Sequence, residues 1–482
     1  MALQFTRNAK VFVQLTDRTS GAHKAAWQIS VLDGFSFTQA VNSSEITINE
    51  AGEVSRRARL LFNDSLAPVE WSMSTYARPF DGVGLVAGGA HAVEESLWAM
   101  LLGADTWSDT TKTFSNERVT YAGASSASER TVNVLDNSGA PGNNLNTFDF
   151  SASNVSSMSD NWNIYFSFED GDNKQLYKCI STAGNSASMD FDIDGIAQIA
   201  WSGFAKTLED AGKVVFAPSQ AMTYATTTGN TIEITATDHG YVNGDEVNVT
   251  FDAAEDSGIS GVLTVANATA NTFEVEASES PSATGGVGTA GTVRLYVIAE
   301  ALAESSNFIR NRISTVDLIR RDLLVGSPGA GESAGTGAND ASDIYNLVLT
   351  GGSFTVENNM TYLTPEELGV VNAPLANITG ARSISGTLTC YLDNSADDSK
   401  SGELFADLVS DTSTVRNVFD MSVNIGGETA GTPRVAFDLP TAHLEVPVVN
   451  VEDLLTLEVT FHGQVSDGNV DRTDEATIVY KA

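Results

Sequence analysis

The chain has 482 residues, with 62 acidic against 26 basic side chains and a formal net charge of -36. That balance excludes a surface built to grip phosphates, because nucleic acid and anionic lipid are held by clustered Lys and Arg. The length is enough for two to four domains, and Cys179 and Cys390, both inside apolar-alternating stretches, read as small core residues and not as a disulfide scaffold.

In chain order, short runs alternate apolar and polar residues between Gly, Asn, Asp and Ser, the pattern of a mainly β protein. Met1-Ala2-Leu3-Gln4-Phe5 lacks a signal-peptide pattern, which predicts synthesis in a cytoplasm without general export. No apolar run approaches the ~20 residues of a membrane helix, so no membrane partner is expected. Glu94 to Leu102 places Leu97, Trp98, Leu101 and Leu102 on one helical face; Gly402 to Val409 and the short Ile298 to Ala303 are the other helix candidates. Thr456-Leu457-Glu458-Val459-Thr460-Phe461 is the cleanest strand.

Early segments are echoed later in the same order. Phe5-Thr6-Arg7-Asn8 matches Phe308-Ile309-Arg310-Asn311, and Gly34-Phe35-Ser36-Phe37-Thr38 matches Gly351-Gly352-Ser353-Phe354-Thr355. Met73-Ser74-Thr75-Tyr76 matches Leu388-Thr389-Cys390-Tyr391, and Leu97 to Leu102 matches Leu404 to Val409. Ile199, Trp201 and Gly203 align with Val459, Phe461 and Gly463. The expected fold is therefore two tandem copies of one β-sandwich or half-barrel domain, residues 1–215 and 298–482, each with a short flanking helix. A small β-sandwich, residues 216–297, is inserted between them, with strands at 231–235, 248–251, 261–265, 272–275 and 292–297. Residues 105–160 read as a long surface loop or hairpin, and 326–335 as a Gly/Ser/Ala-rich connection.

Three tempting motifs fail on their context. Asp190-Phe191-Asp192-Ile193-Asp194-Gly195 opens like a calcium loop, but its twelfth position is Trp201 where a bidentate Glu is required. Gly286-Val287-Gly288-Thr289-Ala290-Gly291 fits GxGxxG but precedes a strand, not a helix. No two of His23, His91, His239, His443 and His462 have zinc-ligand spacing, and no GxSxG occurs. No catalytic residue, metal or cofactor is assigned, and an enzyme is not expected.

The ordered echoes, with the closing strand Val451 to Gly463, resemble the major tail tube proteins of long-tailed, non-contractile (siphovirus-type) bacteriophages. The variety it resembles fuses two tube domains in each subunit. Residues Asp238 to Val247 and Asn271 to Val275 are similar to small immunoglobulin-like domains that decorate phage structural proteins. The resemblance implies a virion protein whose main partner is itself: homotrimeric, pseudo-hexameric rings stacked into a tube. A tape measure lies inside, with terminator and tip proteins at the ends. DNA passes through without specific binding during ejection, and the insert contacts host surfaces or glycans.

In the echoed strands the polar alternates, Ser36, Thr38, Ser72, Ser74, Gln198, Ser202, Ser353, Thr355, Thr387, Thr389, Thr456 and Glu458, include no Lys or Arg and are the candidates for a channel wall. The segments Asn42 to Pro68 and Asn358 to Ala376 are expected as arms towards neighbouring rings, with Arg56, Arg57 and Arg59 pairing across the stack. The competing reading is a bacterial cell-surface or S-layer-like adhesin of immunoglobulin-like modules.

Overall fold

A computed structural model describes residues 9–46, 60–81, 90–108, 113–116, 132–133, 135–136, 145–149, 157–170, 173–211, 219–252, 256–280, 289–298, 308–320, 344–366, 371–393, 401–410, 418–427, 433–451, 454–465 and 475–481. The protein is mainly β, and its strands follow the alternation of the sequence. The N-terminal part contains β1 (Ala9–Thr16), β2 (His23–Ile29), β3 (Ser36–Ile46), β4 (Leu60–Tyr76), α1 (Glu95–Leu101), β5 (Trp162–Asp170), β6 (Asn173–Asp192) and β7 (Gln198–Asp210). These strands pair antiparallel in the order β2-β1-β5-β6-β7-β4-β3.

Helix α1 is buried on every side, so its apolar residues need not form a stripe. Trp98 meets the Trp201 ring edge-on with centroids 4.7 Å apart. Leu101 lies over Gly184 of β6, where a Cβ would come within 3.1 Å of the Leu101 Cα. Each such fully buried large side chain contributes about 1.5–3 kcal/mol.

Residues 219–298 carry β8 (Gln220–Thr228), β9 (Thr231–Thr235), β10 (Glu246–Phe251), β11 (Gly261–Thr264), β12 (Thr272–Glu276), β13 (Thr289–Leu295) and β14 (Val297–Ile298). The first six make one sheet in the order β11-β10-β13-β8-β9-β12 around its own apolar cluster. The two ends of this sheet meet through a bridge between Ala266 and Glu274, so the insert's layers come from one curled sheet. Ile298, expected to open a helix, ends β14, which lies parallel to β2; residues 299–303 fall outside the described residues.

A latch joins this unit to β2. The Asp245 carboxylate accepts the His23 backbone N–H at 2.8 Å, and the His23 ring lies between Gln14 and the Tyr296 carbonyl, 2.9 Å from each.

The C-terminal part contains β15 (Thr315–Arg320), β16 (Ile344–Asn346), β17 (Leu349–Glu357), β18 (Ser383–Tyr391), α2 (Ser401–Ser410), β19 (Phe419–Ile425), β20 (Arg434–Leu444), β21 (Val448–Val451), β22 (Leu455–Gly463) and β23 (Thr477–Lys481). Here the order is β16-β15-β19-β20-β22-β18-β17, which is the N-terminal order strand for strand. In both parts the helix lies between corresponding long strands, α1 between β4 and β5 and α2 between β18 and β19. The long β6 has its counterpart in β20 and β21 together, because each of those pairs with β22 as β6 pairs with β7.

The registers correct one alignment. Met73 lies opposite Trp201, whereas Leu388 lies opposite Val459. With Met73 matched to Leu388, the counterpart of Trp201 is Val459 and that of Ser202 is Thr460, two residues from the correspondence expected from sequence. A shift of two leaves every side chain on its own face, which is why alternation alone does not reveal it.

Candidate functional site

The two parts join edge to edge. Ser186–Asp192 of β6 pairs antiparallel with Gly351–Glu357 of β17. Asn358 secures the end of the joint: its side-chain amide donates to the Leu101 carbonyl at 2.8 Å and to the Gly184 carbonyl at 3.2 Å, and its backbone N–H donates to the Asn185 carbonyl at 2.8 Å. The result is one sheet of eight strands, β3-β4-β7-β6-β17-β18-β22-β21.

One face of this sheet packs on the core through Trp71, Met73, Ile199, Trp201, Ala187, Met189, Phe354, Val356, Leu388, Leu457 and Val459. The other face carries all twelve residues selected from sequence as a channel wall. Ser36 and Thr38 come from β3, Ser72 and Ser74 from β4, Gln198 and Ser202 from β7, Ser353 and Thr355 from β17, Thr387 and Thr389 from β18, and Thr456 and Glu458 from β22. None of the twelve is buried.

Hydroxyl groups run across this face from strand to strand. Ser36 Oγ is 2.9 Å from Ser72 Oγ, Ser188 Oγ is 3.1 Å from Thr355 Oγ1, and Ser353 Oγ is 3.0 Å from Thr387 Oγ1. Between these contacts Ser72 lies opposite Ser202, Ser202 opposite Ser186, and Thr387 opposite Thr460. At the joint between the two parts Ser186 lies opposite Glu357 and Ser353 opposite Asp190, and the hydroxyl contact across it is Ser188 with Thr355. Ser186, Ser188 and Thr460 belong to this face and were not among the sequence candidates. The signal for the first two was present in the alternation of Ser186, Ser188 and Asp190 with Ala187, Met189 and Phe191. The same face bears Glu70, Asp190, Glu357 and Glu458, while Lys206 lies on it towards the far end of β7. A wall of hydroxyls and carboxylates offers no cluster of cations to retain phosphates.

The two segments expected as arms lie against one another. Leu66 N–H donates to the Asn372 carbonyl at 2.7 Å, and Asn372 N–H to the Asp64 carbonyl at 3.1 Å. Leu61, Phe62, Val371 and Leu375 are exposed nearby in sequence to these contacts. Arg56, Arg57 and Arg59 lie outside the described residues.

Asp190 and Asp192 belong to β6 and not to a calcium-type loop. Among the described residues no group of three or more His, Cys, Asp or Glu is placed to hold a metal ion, and no helix is long and apolar enough to cross a membrane. Burial raises the Cys179 thiol to about 12 and the Cys390 thiol to about 11, so neither is a ready nucleophile.

No protein-family model matches the chain. Among curated proteins, it is similar along its full length to the tail tube protein pb6 of Escherichia phage T5, with 25% identity over 483 residues covering 100% of this chain and 76% of that protein.

Proposed function

We propose that this chain is a structural phage protein that polymerises with itself into a tail tube, the conduit through which DNA leaves the virion. The observation that carries the reading is the likeness to a tail tube protein over the whole chain. The face of hydroxyls and carboxylates supports it, because a conduit wall should neither grip phosphates nor present a greasy surface to water.

In this reading residues 1–215 and 298–482 are two tube domains, a division supported by the strand order they share. Residues 216–297 are a decoration domain facing outward, towards host surfaces or glycans. Three chains encircle one pore, with Ser36, Ser72, Ser202, Ser353, Thr387 and their neighbours turned to the lumen. The paired segments around Asp64 and Asn372 reach towards the next ring. Further partners are the tape measure within the bore and the terminator and tip proteins at its ends. The protein is made in the host cytoplasm and resides in the tail, with no enzymatic role.

Negative-stain microscopy of the purified protein tests this directly. Rings or tubes of uniform bore are expected; a flat lattice, or discrete monomers at every concentration, would overturn the reading.

A further inference from the structure

The joint inside the chain is a template for the joint between chains. Strand β6 has β7 on one side and β17 on the other. Its counterpart β21 has β22 on one side and, among the described residues, no strand on the other. Likewise β17 lies between β6 and β18, whereas its counterpart β3 pairs with β4 alone among the described residues. Among the described residues, each end of the eight-stranded sheet therefore lacks the neighbour that the corresponding strand has at its centre.

Burial records the difference. Phe191 of β6, covered by β17, is 4% exposed, while Val451, at the matching position of β21, is 77% exposed. Phe354 of β17 is 1% exposed, while Phe37 of β3 is only partly buried. Val448 is also exposed. These are apolar residues on strand edges, which a monomer would ordinarily protect.

We propose that β21 of one copy pairs antiparallel with β3 of a second copy, in a register fixed by the central joint. In that joint Ser188, Met189, Asp190 and Phe191 lie opposite Thr355, Phe354, Ser353 and Gly352. Transferred through the shared strand order, Val448 lies opposite Thr38, Val449 opposite Phe37, Asn450 opposite Ser36, and Val451 opposite Phe35 of the second copy. Phe37 and Val449 then continue the core across the boundary, and Ser36 and Asn450 continue the polar face. The inference rests on the tube reading for its use, but its register comes from the chain's own geometry.

Cysteine cross-linking tests the register. Ser36 and Asn450 are exposed, so substituting them does not disturb the core, and both native cysteines are buried. The double variant Ser36→Cys/Asn450→Cys should oxidise into covalent oligomers on denaturing gels without reductant, and either single variant should remain monomeric. The slipped pair Thr38→Cys/Asn450→Cys should cross-link at least about fivefold less, since diagonal neighbours sit about 7–8 Å apart and disulfides need closer Cα atoms. In the unmodified protein, amides at 36–38 and 448–451 should gain exchange protection on assembly.

Rings or tubes without the Ser36–Asn450 cross-link would overturn this joint and leave the tube reading standing. The cross-link in the absence of rings or tubes would establish the joint and overturn the tube. Equal cross-linking of the slipped pair would overturn the register, and a chain that never associates would overturn both.

Discussion

At the scale of single residues, two buried titratable groups oppose one another over the same pH range. His23 is neutral in the fold: its Nε2–H donates to the Tyr296 carbonyl, so its Nδ1 accepts from Gln14. Burial pulls its pKa from 6.5 down to about 4. Between those values the unfolded chain binds the proton and the folded chain does not, so the stability this group confers above 6.5 is lost as pH falls towards 4. Glu94 is the reverse case. It accepts a 2.6 Å hydrogen bond from the Tyr480 hydroxyl, which itself accepts from Trp98 Nε1 at 2.9 Å, and burial raises its pKa from 4.5 to about 7. Its folded carboxyl holds the proton longer, so its contribution to stability falls as pH rises from 4.5 to 7. Each effect spans up to about 3 kcal/mol, and together they flatten the pH profile. Glu94→Gln keeps an acceptor for Tyr480 but removes the titration. Its unfolding free energy, from urea melts, should fall about 2–3 kcal/mol more steeply than the parent's between pH 7 and pH 5. Parallel profiles would show that Glu94 does not titrate in this window. Neither group was identifiable from sequence, where His23 and Glu94 look like ordinary members of a strand and a helix start; their shifts come from burial in the assembled fold, which outweighs the opposing hydrogen bonds to partners 273 and 386 residues away.

At the scale of elements, close approach of strands explains which glycines matter. Gly386 sits in the middle of β18, and a Cβ there would collide with the Ser353 carbonyl and the Phe461 ring. Both obstacles are held in place, the first in the β17 ladder and the second in the core. Gly386→Ala should therefore cost about 1–3 kcal/mol through overpacking, read as a lower thermal midpoint. A midpoint equal to the parent's would mean that β18 shifts freely, contrary to its pairing on both sides. The elements were largely legible in the sequence because alternation fixes which residues share a face: the insert strand at 231–235 is found there, and helix α1 lies within the expected segment. Register was not legible. Matching Trp201 with Phe461 preserved the face and missed the true opposition by two residues, since only neighbouring strands specify the offset. Alternation marked the face of Ser188, but its contact with Thr355 depends on a strand pairing 167 residues distant and was not legible.

At the scale of the whole molecule, the proposed conduit depends on a wall that DNA cannot grip. The net charge of -36 concerns the entire surface, but the decisive region is the polar face of the eight-stranded sheet. Ser72 lies there between Ser36 and Ser202, and Thr387 between Ser353 and Thr460, so no carboxylate stands directly opposite either one. Thr389 is a poorer probe, because it lies opposite Glu458, which would neutralise a new cation. Ser72→Lys/Thr387→Lys places two ammonium groups per chain on the wall, while both positions remain outside the packed core. Assembly should persist, with tubes of normal length and bore by microscopy. DNA release from variant virions, followed by dye fluorescence, should slow several-fold at low salt and recover as salt rises, because each Lys–phosphate contact is lost through counterion competition. Ser72→Glu/Thr387→Glu, equal in bulk and opposite in sign, should leave release near the parent rate. If the lysine pair releases DNA normally at every salt concentration from intact tubes, this face does not meet the DNA.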